Sequence, residues 1–169
     1  MKENPMREIK VEKVTLNIGC GSDQDKLKRA EKLLKTITQQ KPLITKAMKR
    51  STFGAIKGKP IGVKVTLRKV KAINFLKDAL IAVENELKDG QINGGNFSFG
   101  IKEYIDLPNV KYDADVGIVG MDVCATLERP GFSVKKKRIS RKIGKKHLIS
   151  KEETIDWLVK NFGVKIGGR

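Results

Sequence analysis

The sequence predicts an α+β protein, an antiparallel sheet with helices packed on one face. Several stretches alternate apolar and polar residues with period two, three others repeat apolar residues at helical spacing, and the two kinds do not alternate strictly along the chain. At 169 residues the chain fits a single domain, 1–169, with a basic insertion at about 129–149 before the last helix.

The first strand runs from Lys10 to Ile18, with Val14, Leu16 and Ile18 on one side and Thr15 and Asn17 on the other. A turn follows at Gly19, Cys20 and Gly21. Ser22 with Asp25 has the spacing of a capping box for a helix carrying Leu27, Ala30, Leu33, Leu34 and Ile37, which must end before Pro42. A loop rich in Gly and Lys, Lys46 to Lys59, leads to a strand with Ile61, Val63, Val65 and Leu67 on one side and Gly62, Lys64, Thr66 and Arg68 on the other. Ile73, Leu76, Leu80, Val83 and Leu87 predict a second helix. Phe97, Phe99 and Ile101 predict a third strand after an Asn93 to Asn96 turn, and Met121, Val123, Ala125 and Leu127 a fourth. Ser150 and Glu153 form a full capping box ahead of Ile155, Leu158, Val159 and Phe162, and Gly163 stands as the C-cap.

Charge points to the partner. Thirty-six Lys and Arg against nineteen Asp and Glu leave a net charge of +17, far beyond what solubility asks of a small domain, so a polyanion is expected. The charge is also segregated: Lys32 to Lys77 holds thirteen bases and no acid, and Ser133 to His147 eight bases and no acid. Glu84 to Glu128, by contrast, carries nine acids and three bases. A basic surface and a mildly acidic one follow. No apolar run approaches the roughly 18 residues of a membrane span, the first residues lack the apolar core of a signal peptide, and no membrane partner is expected. Two cysteines cannot build a disulfide-dense module, and without paired Cys/His spacing they cannot build a zinc site, so a reducing cytoplasm is the default location.

Catalytic and cofactor motifs fail on inspection. Gly19 and Gly21 begin a dinucleotide fingerprint, but Gln24 stands where the third glycine belongs. Gly58 and Lys59 imitate a phosphate loop, yet Phe53 replaces its first glycine and Pro60 its metal-binding hydroxyl. No cofactor and no metal are expected. His147, inside a basic run, suits a solvated or RNA-facing imidazole, and Cys20 and Cys124, with apolar neighbours, suit buried small hydrophobes. One alternative remains: Asp113, Asp115 and Asp122 could hold Mg²⁺ in a metal-dependent RNA-processing enzyme. A general nucleic-acid-coating protein is the other.

On a shared sheet, the outward sides of the Lys10 and Ile61 strands would present Thr15, Asn17, Lys64, Thr66 and Arg68, a donor-rich plate without an acid. Arg68 and Lys64 can pair phosphates, while Asn17 and Thr66 can bond 2′-hydroxyls or base edges. Neither strand has an aromatic residue, which disfavours base stacking there and suits a folded RNA.

Four blocks carry a resemblance. Thr15 to Gly21 (TLNIGCG), Gln40 to Ala47 (QKPLITKA), Pro60 to Arg68 (PIGVKVTLR) and Phe99 to Glu103 (FGIKE) resemble, in this order and at these separations, the family of the fifth protein of the large ribosomal subunit. The match covers nearly the whole chain. The resemblance implies a concave sheet face gripping 5S ribosomal RNA in the central protuberance, among large-subunit RNA and proteins. It also implies a long loop reaching the peptidyl-site tRNA and a bridge to a protein of the small-subunit head. The family's RNA-gripping positions fall on Asn17, Gln40, Thr66 and Arg68. Two departures stand out. Gln39 replaces a usual Gly, at a cost on the order of 1 kcal/mol if the same left-handed turn is made. The basic insertion, including Lys135 to Lys146, looks like the archaeal and eukaryotic branch, and its like charges predict disorder in the free protein.

The tRNA-contact loop implied by the resemblance includes Phe53, Lys57 and Lys59. Judged by residues alone, Phe53 and Ile56 could equally fold back onto the core; the resemblance favours a protruding tip.

Overall fold

The computed structural model describes residues 4–21, 23–50, 56–108 and 110–167. Its elements in chain order are β1 (Lys10–Gly19), α1 (Gln24–Thr38), β2 (Leu43–Lys46), β3 (Pro60–Leu67), α2 (Lys69–Ile81), β4 (Glu86–Lys88), β5 (Ile92–Asn93), β6 (Asn96–Ile101), β7 (Met121–Glu128), α3 (Lys151–Phe162) and β8 (Lys165–Gly167), with short 3₁₀ turns between them. Six strands form an antiparallel sheet in the order β2-β3-β1-β7-β6-β5, and β4 pairs with β8 in a separate parallel ribbon. This is the expected α+β class. Two compact units divide the chain: unit 1 holds residues up to Val14, Arg68–Phe99 and those from Cys124 on, and unit 2 holds Thr15–Leu67 and Gly100–Val123.

In unit 2, Leu16, Ile18, Val63, Val65 and Leu67 are buried as alternation requires, and α1 packs on β3 with Leu27, Ala30, Leu33 and Leu34 inward. The cap of α1 is Asp23, whose side chain accepts from the Asp25 and Lys26 amides at 3.0 and 3.3 Å; Ser22 lies outside the described residues. The helix ends on Gln39 at φ 51° and ψ 32°, with its amide bonded to the Lys35 carbonyl at 2.9 Å. A left-handed turn is therefore made by a residue with a Cβ. Tyr104, fully buried, accepts a 2.9 Å hydrogen bond from the Asp113 amide and closes the segment between β6 and β7.

In unit 1, α3 opens with the predicted capping box: Ser150 Oγ accepts from the Glu153 amide and Glu153 Oε2 from the Ser150 amide. Gly163, at φ 64°, closes it. The helix buries Thr154 and Leu158, and Thr154 Oγ1 donates to the Gly94 carbonyl at 2.7 Å; Val159, read as inward, is exposed. The second helix stops at Ile81, short of the Leu87 that its apolar spacing suggests. Glu84 and Asn85 both adopt positive φ, the Asn85 amide turns back to the Leu80 carbonyl at 2.9 Å, and Leu87 is buried in β4 instead. Within the expected insertion at 129–149, only Phe132–Lys136 and Lys145–His147 form short 3₁₀ turns.

Arg129 closes this unit, with a side chain only 4% exposed. Its guanidinium donates to the carbonyls of Arg7 (3.2 Å), His147 (3.3 Å) and Leu148 (3.2 Å) and to Glu153 Oε1 (2.7 Å). One buried cation thus joins the segment before β1, the end of the insertion and the start of α3. The Ser150 amide and then Arg129 hold the Glu153 carboxyl below the usual carboxylate range.

Three outcomes follow. Gln39→Gly should raise stability by about 0.5–1 kcal/mol in urea unfolding, since relief of left-handed strain of roughly 1–2 kcal/mol outweighs the added freedom of the unfolded chain. Arg129→Met should lose about 2–3 kcal/mol by stranding three carbonyls and a carboxylate. Because the folded pKa of Glu153 lies below its unfolded value, its contribution is complete above the ordinary carboxylate range and disappears as pH falls through the lowered one; Glu153→Gln should flatten that acid limb.

Candidate nucleic-acid interface

The outward side of unit 2 begins with the β1 and β3 strands, which are neighbours in the sheet. The Cys20 amide donates to the Ile61 carbonyl at 2.9 Å, and a Cβ placed on Gly62 would lie 2.7 Å from the Ile18 carbonyl and 3.6 Å from Gly19 Cα. Gly19 therefore faces Gly62, and stepping along the antiparallel pair sets Asn17 beside Lys64 and Thr15 beside Thr66. All four are partly or fully exposed while their sequence neighbours are buried. The sequence missed β2, which extends these rows: Leu43 pairs with Lys64 and Thr45 with Gly62. Gln40 follows the left-handed Gln39 at the end of α1 and is half-buried.

Two expectations about the plate need correction. β7 lies on the other side of β1, and its outward positions in unit 2 include the exposed Asp122, so the sheet face is not free of acid. Arg68 is not an unengaged cation: it belongs to unit 1, where its guanidinium lies 3.6 Å from Glu12 Oε1. Glu12, with a side chain 9% exposed, also meets Lys136 at 2.9 Å and Lys13 at 3.8 Å. Burial works against its ionisation, but the Lys136 hydrogen bond and the charges of Lys136, Lys13 and Arg68 lower its pKa overall.

The β2–β3 arm continues past its strands. The Ala47 amide donates to the Lys59 carbonyl at 2.9 Å and the Gly58 amide to the Ala47 carbonyl at 2.8 Å, which closes the base of a hairpin. Lys57, Lys59 and Ile56 are exposed; Phe53 lies outside the described residues.

Other candidates found different partners. Asp113 and Asp115 each lie 2.9 Å from the Lys32 ammonium on α1, which lowers the Asp113 pKa and gives both carboxylates the same lysine as partner. Among the described residues no group of His, Cys, Asp and Glu is arranged to hold a metal ion. His147 is not a solvated imidazole: its Nε2 lies 2.9 Å from the Pro130 carbonyl and its ring meets Phe132 edge-on at 5.6 Å. Cys20 is buried, which pushes its thiol pKa up, whereas Cys124 is exposed because it shares the outward parity of Asp122 and Thr126.

The sequence matches two family models, the ribosomal L5P family C-terminus over residues 60–157 and Ribosomal protein L5 over residues 4–52. The chain belongs to the ribosomal protein L5 family. It is 52% identical to large ribosomal subunit protein uL5 of Archaeoglobus fulgidus over 92% of this chain and 89% of that protein. It is similar to the proteins of the same name from Nanoarchaeum equitans (48%, covering 97% and 99%) and Sulfolobus acidocaldarius (46%, covering 98% and 94%). These relatives are archaeal, in keeping with the branch that the insertion suggested. L5 proteins are large-subunit ribosomal proteins, a family without enzymatic activity, and work on ribosomes in the cytoplasm.

Proposed function

We propose that this L5 protein holds 5S ribosomal RNA in the large subunit through the outward side of β1 and β3. Thr15, Asn17, Lys64 and Thr66 touch the RNA, Gln40 contributes from the end of α1, and Arg68 adds a phosphate contact of its own. The observation that carries this reading is the pairing of Asn17 with Lys64 and of Thr15 with Thr66 on a polar side whose reverse is buried, in a chain of net charge +17. Short amide and hydroxyl groups read 2′-hydroxyls and base edges with defined geometry, whereas Lys64 supplies charge. The metal-dependent alternative loses support because Lys32 already occupies Asp113 and Asp115.

The hairpin carrying Lys57 and Lys59 suits a contact with the peptidyl-site tRNA, since exposed lysines there can meet a backbone without reading its sequence. A bridge to a small-subunit head protein belongs to the same reading. The stretch of the insertion between Lys136 and Lys145, which is largely exposed, is proposed to order fully only on RNA.

Asn17→Ala should weaken 5S RNA binding by about 1–3 kcal/mol with the fold intact, the range for an unpaired buried hydrogen-bonding group. In filter binding across salt, six phosphate contacts would give a log–log slope of about −4 to −5, flattened by Lys64→Ala. Unchanged affinity in Asn17→Ala would overturn the assignment of this face. Lys57→Ala with Lys59→Ala should leave 5S binding unchanged while speeding tRNA dissociation from the peptidyl site at low Mg²⁺; equal dissociation rates would remove the hairpin from that role.

A further inference from the structure

Unit 1 contains a cleft of about 440 Å³ between the outward side of the sheet and the insertion. Lys13, Asn96, Thr126, Phe132, Lys135 and Leu148 line it, and its volume falls in the range of about 300–1,000 Å³ typical of small-ligand sites. Three chemistries meet in it. Phe132 and the half-exposed Leu148 make an apolar wall; the Asn96 amide and Thr126 hydroxyl offer hydrogen bonds; and Lys13 and Lys135 bring positive charge.

The walls are braced rather than loose. The Phe132 ring is held edge-on by His147 at 5.6 Å, and His147 Nε2 is tied to the Pro130 carbonyl at 2.9 Å. The Lys136 ammonium is fixed between Glu12 Oε1 and Glu128 Oε2, each at 2.9 Å, which ties the start of the insertion to β1 and β7. With these two carboxylates balanced against Lys13, Lys135 and Lys136, the cleft keeps a net positive charge, so it attracts an anion despite its acids.

A planar ring wall, a hydrogen-bonding edge and a cation together match the face of a base, its hydrogen-bonding edge and the phosphate of a nucleotide. β1 and β3 carry no aromatic residue, so this cleft supplies what the proposed 5S face lacks. We infer that the cleft receives one unstacked ribonucleotide of an RNA strand, its base against Phe132 and Leu148, its edge on Asn96 and Thr126, and its phosphate on Lys13 and Lys135. The inference rests on the reading of this protein as RNA-bound and adds a second, single-stranded contact to it. A base inside a duplex is already stacked and paired and cannot enter.

The test is a titration of the full chain, methyl-labelled at Leu148 and Ile149, with a single-stranded RNA tetramer, an abasic tetramer, a short RNA duplex and the nucleoside monophosphates. The tetramer should shift both methyl resonances saturably, the monophosphates more weakly, and the duplex and abasic strand not at all. Lys135→Ala, at an exposed side chain, and Phe132→Leu should each weaken tetramer binding about fivefold or more, the loss expected when a stacking or phosphate contact is removed. Absent shifts at saturating tetramer, equal shifts with the abasic strand, or monophosphates binding as tightly as the tetramer would overturn the inference. Binding of intact 5S RNA to Asn17→Ala, measured in parallel, reports on the β1–β3 face separately, because that variant leaves the cleft untouched.

Discussion

The close approach of Gly62 to the Ile18 carbonyl holds the β1–β3 register on which the proposed interface depends. Any side chain at residue 62 would begin 2.7 Å from that oxygen, inside any real contact, so only glycine lets the strands sit this close. Strand side chains alternate with period two, and a slip of one residue would turn Val63 and Val65 to solvent and bury Lys64 and Thr66. Burial of Leu16, Ile18, Val63 and Val65 and exposure of Asn17 and Thr66 are therefore one constraint with two faces. The apolar side stabilises the fold, and the polar side it leaves outward is the one we propose meets RNA.

In a chain this basic, the few acids organise cations as much as they offset them. Glu12 gathers Arg68, Lys13 and Lys136; Asp113 and Asp115 share Lys32; Glu153 serves both the α3 cap and Arg129. Exposed pairs such as those of Lys32 add little stability each, but they limit where a flexible lysine can point. The Arg129 pairing is different in kind, because its guanidinium is buried and spends its donors on three backbone carbonyls that would otherwise need other partners.

How much was legible in the sequence follows from which signals are local. β1, β3, β6 and β7 could be read because alternation is visible within each strand, and the Ser150–Glu153 box because a cap is written in four consecutive residues. The outward placement of Asn17, Lys64 and Thr66 followed from the same alternation. The end of α2 was missed because Val83 and Leu87 keep helical spacing, although Asn85, a residue that tolerates left-handed backbone, marks the stop; Glu84 before it turns left-handed without such a signal. Nor could one strand announce the parallel partner that β8 provides for β4. The partners of Arg68, Arg129 and His147 lie 56, 24 and 17 positions away or are backbone groups, and a basic residue in a basic sequence reads as solvent-facing until its neighbours are known.

The central claim is that the outward side of β1 and β3 touches 5S RNA. Its most direct test is cross-linking in purified large subunits whose 5S RNA carries photoreactive thiouridine, followed by peptide sequencing of the attached protein. The account predicts adducts in the peptides holding Thr15 to Asn17 and Lys64 to Thr66. Adducts confined to α2, α3 and the β4–β8 ribbon, with none on those two strands, would contradict it.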